Sequence, residues 1–233
     1  FIKKFFMFNY TDYFYKMKHL PIKCKPLDDL LGGGIESKSI TEVYGEAGSG
    51  KTNFCLQASR ECAISGKKTA YIDSEGVSLE RLNQLCEGKD RKKIFNNILF
   101  FNPSTFNEQE EMIKDALKIK DLELLVLDTF NLFYRLMLED DEKLAIRSLN
   151  RQITDLQIAS IKKDIFVIIT GQVYSIENDD VKPFAGRGVE HMAKTIIKLE
   201  KIGLGKRQAT LIKHRSQPEG NKAIFTITGT GLE

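Results

Sequence analysis

The stretch Gly45-Glu46-Ala47-Gly48-Ser49-Gly50-Lys51-Thr52 limits what this chain can become more than any other segment. It satisfies G-x-x-x-x-G-K-[ST] at every fixed position. Ser39-Ile-Thr-Glu-Val-Tyr44 before it alternates and is rich in β-formers, which predicts a strand; an apolar stretch from Lys51 to about Ser65 predicts a helix. A phosphate cradle needs that setting. Glycines let successive backbone N–H groups converge on phosphate oxygens, and the helix N-terminus adds partial positive charge. Lys51 then reaches the β- and γ-phosphates, and the Thr52 hydroxyl can ligate Mg²⁺.

The remaining pattern fits the same architecture. Leu27-Asp-Asp-Leu-Leu-Gly-Gly-Gly reads as a short helical turn stopped by glycines. Strands are predicted at Lys68–Asp73, Ile98–Asn102, Leu124–Asp128 and Ile165–Thr170, and helices at Leu79–Glu87, Glu108–Lys118 and Glu142–Lys162. In the last of these helices Leu149, Ile153, Leu156 and Ala159/Ser160 form one stripe. Alternating strands and helices predict an α/β fold with a doubly wound, mostly parallel sheet. Strands at 195–200, 207–213 and 223–228 follow without helices between them and should extend one edge as hairpins or a meander. Residues 21–233 read as one core domain, preceded by an aromatic and basic arm over 1–20 that holds eight Phe or Tyr.

Composition excludes several classes. At 233 residues, 42% hydrophobic and 29% charged, the chain is neither collagen-like nor wholly disordered. Apolar runs reach only about five residues, as around Phe166–Ile169, against the roughly 20 that span a bilayer. The start Phe1-Ile-Lys-Lys-Phe-Phe-Met7-Phe lacks the apolar core of a secretory signal, and with no Met before Phe1 the natural start is expected upstream or at Met7. Cys24, Cys55, Cys62 and Cys86 form no CxxC pair and are expected to be reduced cytoplasmic thiols; His19, His191 and His214 show no zinc spacing. The net charge is only +3, but residues 103–145 carry −6 and residues 182–222 carry +7. Such polarity points to one face for an anionic polymer, with an unevenly charged solvated surface as the plain alternative.

Three further polar residues fall where phosphate chemistry would use them. Asp128 ends the apolar Leu124-Leu-Val-Leu run and can hold a metal's water shell, or simply cap a turn. Glu75, just past Tyr71-Ile-Asp-Ser, can orient or deprotonate water, or be an ordinary surface acid. Gln172, in Ile169-Thr-Gly-Gln-Val, can register a γ-phosphate, or be a loop amide.

Taken together, Cys24-Lys-Pro-Leu-Asp-Asp-Leu-Leu-Gly-Gly-Gly-Ile35, Ser39-Ile-Thr-Glu42, the phosphate loop, Ile72-Asp-Ser-Glu-Gly76, Leu79-Glu-Arg81, Leu127-Asp-Thr129, Tyr134-Arg135, Thr170-Gly-Gln-Val173, Gly205-Lys-Arg207 and Pro218-Glu-Gly220 resemble the RecA/RadA recombinase superfamily, in order from about residue 20 to the end. The resemblance implies a RecA-like P-loop NTPase core with strand order 3-2-4-5-1-6-7-8, ATP and Mg²⁺ as cofactors, and a part in homologous recombination and DNA repair. It makes Gly45–Thr52 the phosphate cradle and Glu75 the catalytic glutamate. Asp128 becomes the metal-side acid, Arg81 the arginine that stacks on adenine, and Gln172 the link from γ-phosphate to the second DNA loop. Arg135 would open the first DNA loop. Lys182, Arg187, Lys206 and Arg207 are the basic candidates for DNA, and Lys213 and Arg215 sit where a neighbouring subunit's cation would cap ATP.

Departures from the family pattern shape the expected activity. Only about 20 residues precede the matched region, so the family's N-terminal helical DNA-binding domain is expected to be absent. The expected first DNA loop, about 136–146, holds Glu139-Asp-Asp-Glu142, and the second, about 174–193, holds Asn178-Asp-Asp180; like charge opposes phosphates at both. Gly171 stands where these recombinases usually have Asn. The expected protein is therefore a cytoplasmic, nucleoid-associated accessory factor. It would bind single-stranded or branched DNA, hydrolyse ATP weakly and work with a RadA-type recombinase, as a monomer or a homo-oligomer. A full strand-exchange ATPase is the alternative, and a KaiC-like ATPase the more distant one.

Overall fold

The computed structural model describes residues 17–175, 181–183 and 187–233. The expected arm lies outside them up to residue 16, as does Asn178-Asp-Asp180. Residues 17–20 join the body: Leu20 is buried in the core, and the Lys18 ammonium meets the Glu123 carboxylate at 2.6 Å. Among the described residues, no helix is long and apolar enough to cross a membrane.

The strands are β1 (His19–Leu20), β2 (Ile35–Glu36), β3 (Ser39–Gly45), β4 (Lys68–Asp73), β5 (Ile98–Phe101), β6 (Leu122–Asp128), β7 (Phe166–Gly171), β8 (Val173–Ser175), β9 (Val181–Pro183), β10 (Thr195–Lys201), β11 (Lys206–Lys213) and β12 (Lys222–Thr226). The helices are α1 (Lys25–Leu30), α2 (Lys51–Ile64), α3 (Leu79–Leu85), α4 (Arg91–Asn97), α5 (Phe106–Ala116), α6 (Leu132–Asp140), α7 (Glu142–Lys163) and α8 (Arg187–Met192). The main sheet runs β12-β11-β10-β3-β7-β6-β4-β5, the order that the resemblance implies. From β10 to β5 neighbours are parallel; β11 and β12 continue antiparallel. As expected, β10, β11 and β12 extend one edge as an antiparallel meander, which β10 joins to the parallel sheet by pairing with β3.

The central strands are nearly all apolar because both faces are covered. Val43, Leu124, Val126, Phe166 and Ile168 face a core shared with α2 and the chain's C-terminus. Ile40, Tyr44, Leu125, Leu127, Val167 and Ile169 face a second core with Leu149, Ile153 and Leu156 of α7. Helix α2 is buried on most sides. The Gln57 amide donates to the carbonyls of Ile22 (2.9 Å) and Leu232 (3.2 Å) and accepts the Leu232 N–H (2.7 Å). Arg60 donates to the carbonyls of Leu85 and Thr230. The helix behind the phosphate loop is thus bolted to the chain's last turn.

Helix α4 carries little of the apolar stripe that would reveal it in sequence, whereas α6 packs Phe133, Tyr134, Met137 and Leu138 on the core. In α4 only Ile94 is buried, and the helix starts because the Asp90 carboxylate accepts the Lys93 N–H. Residues 136–146, expected as a DNA loop, are instead two helix ends meeting at Asp141. Its carboxylate caps α7 by accepting the Leu144 N–H at 3.0 Å. Part of the acidic run is therefore helix-capping chemistry, favoured by the α7 dipole.

Glu42 breaks the pattern of the sheet. It is fully buried on β3, and among the described residues neither carboxyl oxygen has a hydrogen-bond partner. Burial pushes its pKa from the ordinary 4.5 up to about 8, with Glu190 raising it further and Lys213 opposing. Between those two pH values the folded chain holds a proton that the unfolded chain has lost, so stability falls as pH rises, by at most about 1.4 kcal/mol per unit. Glu42→Gln is expected to flatten that slope. Urea unfolding at pH 5, 6.5 and 8 measures it, and equal slopes in both proteins would contradict a neutral buried Glu42.

Candidate nucleotide-binding and hydrolysis site

The phosphate loop joins β3 to α2 at the carboxyl ends of the parallel strands, where open α/β sheets bind ligands. Gly50 caps α2 at φ +109°, a conformation that side chains resist, and a Cβ there would press on Ile227. Lys51 Nζ donates to the carbonyls of Gly45 (2.8 Å) and Glu46 (3.1 Å). Burial pushes its pKa down, while Glu75 and Asp128 pull it back up, so both carboxylates bear on this ammonium. Ser49 is buried, and its hydroxyl has no partner among the described residues.

Asp128 ends β6 beside β4 and β7. Its carboxylate accepts from Tyr71 Oη at 2.7 Å, from the Thr170 hydroxyl and from the Thr52 hydroxyl. Burial pushes its pKa up; the Thr170, Tyr71 and Thr52 hydrogen bonds act against that. Thr52 and Asp128 thus form an all-oxygen pair at the mouth of the cradle. That donor set suits Mg²⁺, which takes one or two protein oxygens and completes its shell with phosphate and water. Consistent with so sparse a set, no group of three His, Cys, Asp or Glu able to hold a metal occurs among the described residues.

The turn after β4 presents Glu75. Asp73 builds that turn: its carboxylate accepts the N–H of Glu75 (3.2 Å), Gly76 (2.8 Å) and Val77 (2.6 Å). Ser74 N–H meanwhile donates to the Asp128 carbonyl at 2.9 Å, tying the turn to β6. Glu75 is exposed, and its Oε1 accepts from Thr129 Oγ1 at 2.6 Å and Gln172 Nε2 at 2.7 Å. Gln172 is held in turn by Asn131, which exchanges two 3.0 Å hydrogen bonds with its backbone. The far end of the Gln172 amide accepts from Arg135 at 2.8 Å. Arg135, Gln172 and Glu75 form one polar chain from α6 to the cradle.

Arg81 is pinned edge-on. Its guanidinium donates to Asn53 Oδ1 (2.7 Å), Thr228 O (2.8 Å), Gly229 O (3.0 Å) and Gln84 Oε1 (3.1 Å). Its edges are engaged, and stacking uses the flat faces.

The basic candidates for DNA separate. Lys206 is exposed, but Arg207 is a correction: it is 9% exposed and donates to the Gly48 carbonyl of the phosphate loop at 3.1 Å, so its charge is turned inward. Lys182 lies on β9 and Arg187 opens α8; their side chains lie outside the described residues. Lys213 donates to the Glu190 carbonyl at 2.6 Å and Arg215 to the Lys38 carbonyl at 3.3 Å, contacts at the opposite end of β11 from the cradle. Sequence reasoning missed Asp73, Thr129, Asn131 and Tyr71. Only Asp73 left a signal, as an acid closing a strand ahead of Ser-Glu-Gly.

A phosphate loop on β3 of this strand order, with acids ending β6 and following β4, defines a RecA-like P-loop nucleotide-binding core. The Rad51 family profile matches residues 16–233. The chain is 46% identical over 215 residues to the DNA repair and recombination protein RadB of Methanococcoides burtonii, covering 90% of this chain and 95% of that protein. It is 40% identical over 211 residues to the protein of the same name in Thermoplasma acidophilum, covering 88% and 90%. Its fold superposes on a crystal structure of the RadB recombinase with a TM-score of 0.81 at 37% identity, over 92% of this chain and 98% of that one. The chain belongs to the Rad51 family, in its RadB group.

Proposed function

We propose that this chain is an ATP- and Mg²⁺-binding protein of DNA repair and homologous recombination. In this reading it binds single-stranded or branched DNA, hydrolyses ATP slowly, and supports a RadA-type recombinase in the cytoplasm, at the nucleoid, instead of exchanging strands itself. Residues 17–233 act as the ATPase core. The observation that carries the reading is the convergence of Lys51, Thr52, Asp128 and Glu75 at one sheet edge, in a chain similar to proteins named for DNA repair and recombination.

In this reading Gly45–Thr52 enclose the phosphates and Lys51 leaves the loop carbonyls for them. Mg²⁺, held through Thr52 and Asp128, supplies charge neutralisation. Glu75 orients the attacking water and takes its proton; Thr129 and Gln172 fix its carboxylate. Arg81 offers a face to the adenine. Gln172, fastened to Arg135, relays the state of the site to α6.

Two features favour slow turnover that DNA does little to speed. Residues 136–146 are helix ends, with no loop free to order on DNA, and Glu139, Asp140, Asp141 and Glu142 there are exposed acids that repel phosphate. ATPase rates with and without single-stranded DNA test this. The expected result is turnover below about 1 s⁻¹, at the low end for enzymes, changed little by DNA. Strong stimulation would support the strand-exchange alternative.

A further inference from the structure

Among the described residues, Arg207 and Lys201 of the β10–β11 hairpin stand at the phosphate loop besides Lys51. Arg207, at the start of β11, donates from Nε to the Gly48 carbonyl (3.1 Å) and from a terminal nitrogen to its neighbour's carbonyl, Lys206 O (2.9 Å). Lys201, the last residue of β10, is exposed, and its Nζ lies 3.2 Å from where a Cβ on Gly48 would sit. A Cβ there would make the ammonium shift by a few tenths of an ångström, and Gly48 adopts φ +72°, which glycine favours. Among the described residues Lys201 has no hydrogen-bond or ion-pair partner; Glu46, the acid within the loop, does not pair with it. By contrast its strand neighbour Lys198 pairs with Glu200 at 3.1 Å.

These facts separate two roles. The Gly48 carbonyl belongs to the peptide whose Ser49 N–H donates to the Glu46 carbonyl at 3.1 Å within the loop, and a fixed donor on the Gly48 carbonyl holds that peptide in place. Arg207 is such a donor for Gly48. Lys201 is different: its unpaired ammonium stands at Gly48 of the loop, where a bound polyphosphate would give it a partner. We propose that the β10–β11 hairpin completes the phosphate site within the same chain, with Lys201 as a direct cationic ligand of the bound polyphosphate and Arg207 as a positioning residue for the Gly48 peptide. This rests on the nucleotide-binding reading above and adds residues that the phosphate-loop motif does not contain.

Titration calorimetry of the full chain with ADP and with a non-hydrolysable ATP analogue, each at low and high salt, tests it. Lys201→Ala is expected to weaken both ligands about tenfold, the worth of one charged hydrogen bond, and to flatten the salt dependence, with Lys201→Arg restoring both. Arg207→Ala is expected to weaken both ligands by a similar factor while keeping the wild-type salt dependence, with partial recovery in Arg207→Lys. Lys201 is exposed, so its variants carry the test if Arg207→Ala fails to fold. Unchanged affinity in Lys201→Ala, or lost affinity with unchanged salt dependence, would overturn the ligand role. Wild-type affinity in Arg207→Ala would overturn the positioning role. Wild-type protein that binds neither nucleotide would instead remove the nucleotide reading itself, a separate outcome.

Discussion

Lys51→Ala is expected to lower affinity for ATP and ADP by about 10²–10³-fold, because it removes one or two hydrogen bonds to a charged phosphate, each worth about 1.5–3 kcal/mol. The fold should survive. The ammonium's present partners, the Gly45 and Glu46 carbonyls, are backbone groups at a loop that solvent reaches, and α2 is secured by Gln57 and Arg60 independently of Lys51. Calorimetric titration of the variant, with circular dichroism to confirm folding, reads the result. Affinity near wild type would mean that phosphate does not sit in this loop.

Glu75→Gln should separate binding from chemistry. Losing a general base typically costs about 10²–10⁴ in rate, whereas the exposed carboxylate adds nothing attractive to a bound polyanion. Single-turnover hydrolysis of labelled ATP is the suitable assay, since steady-state rates are expected to be slow. Retained binding with hydrolysis lost is the predicted pattern. The glutamine can still accept from Thr129, so the turn built by Asp73 should be preserved. Hydrolysis at the wild-type rate would assign the water-orienting role elsewhere.

The elements nearest the phosphate loop were readable because local chemistry alone determines them. Lys68–Asp73 is a strand by composition and is the observed β4; the stripe Leu149, Ile153, Leu156 and Ala159/Ser160 marks the buried face of α7. What could not be read depends on neighbours distant in sequence. Glu75 and Gln172 are 97 positions apart and meet only because β4, β6 and β7 lie side by side. Helix α6 packs Phe133, Tyr134, Met137 and Leu138 on the core at helical spacing, but only Tyr134 is buried, and an acidic stretch that resembled a loop is partly a helix cap. Arg207 reads as one more surface base; that it faces inward is visible only once β11 is placed two strands from β3. Asp73, between an obvious strand and an obvious glutamate, acts through backbone N–H groups that carry no side-chain signature.

One titration bears most directly on the central claim that Gly45–Thr52, Asp128 and Glu75 together hold a nucleoside triphosphate with its metal. ATP added to the full chain in a calorimeter, with and without Mg²⁺, should saturate one site per chain and bind more tightly when the ion is present. Heat that never saturates, or saturation indifferent to Mg²⁺, would contradict it.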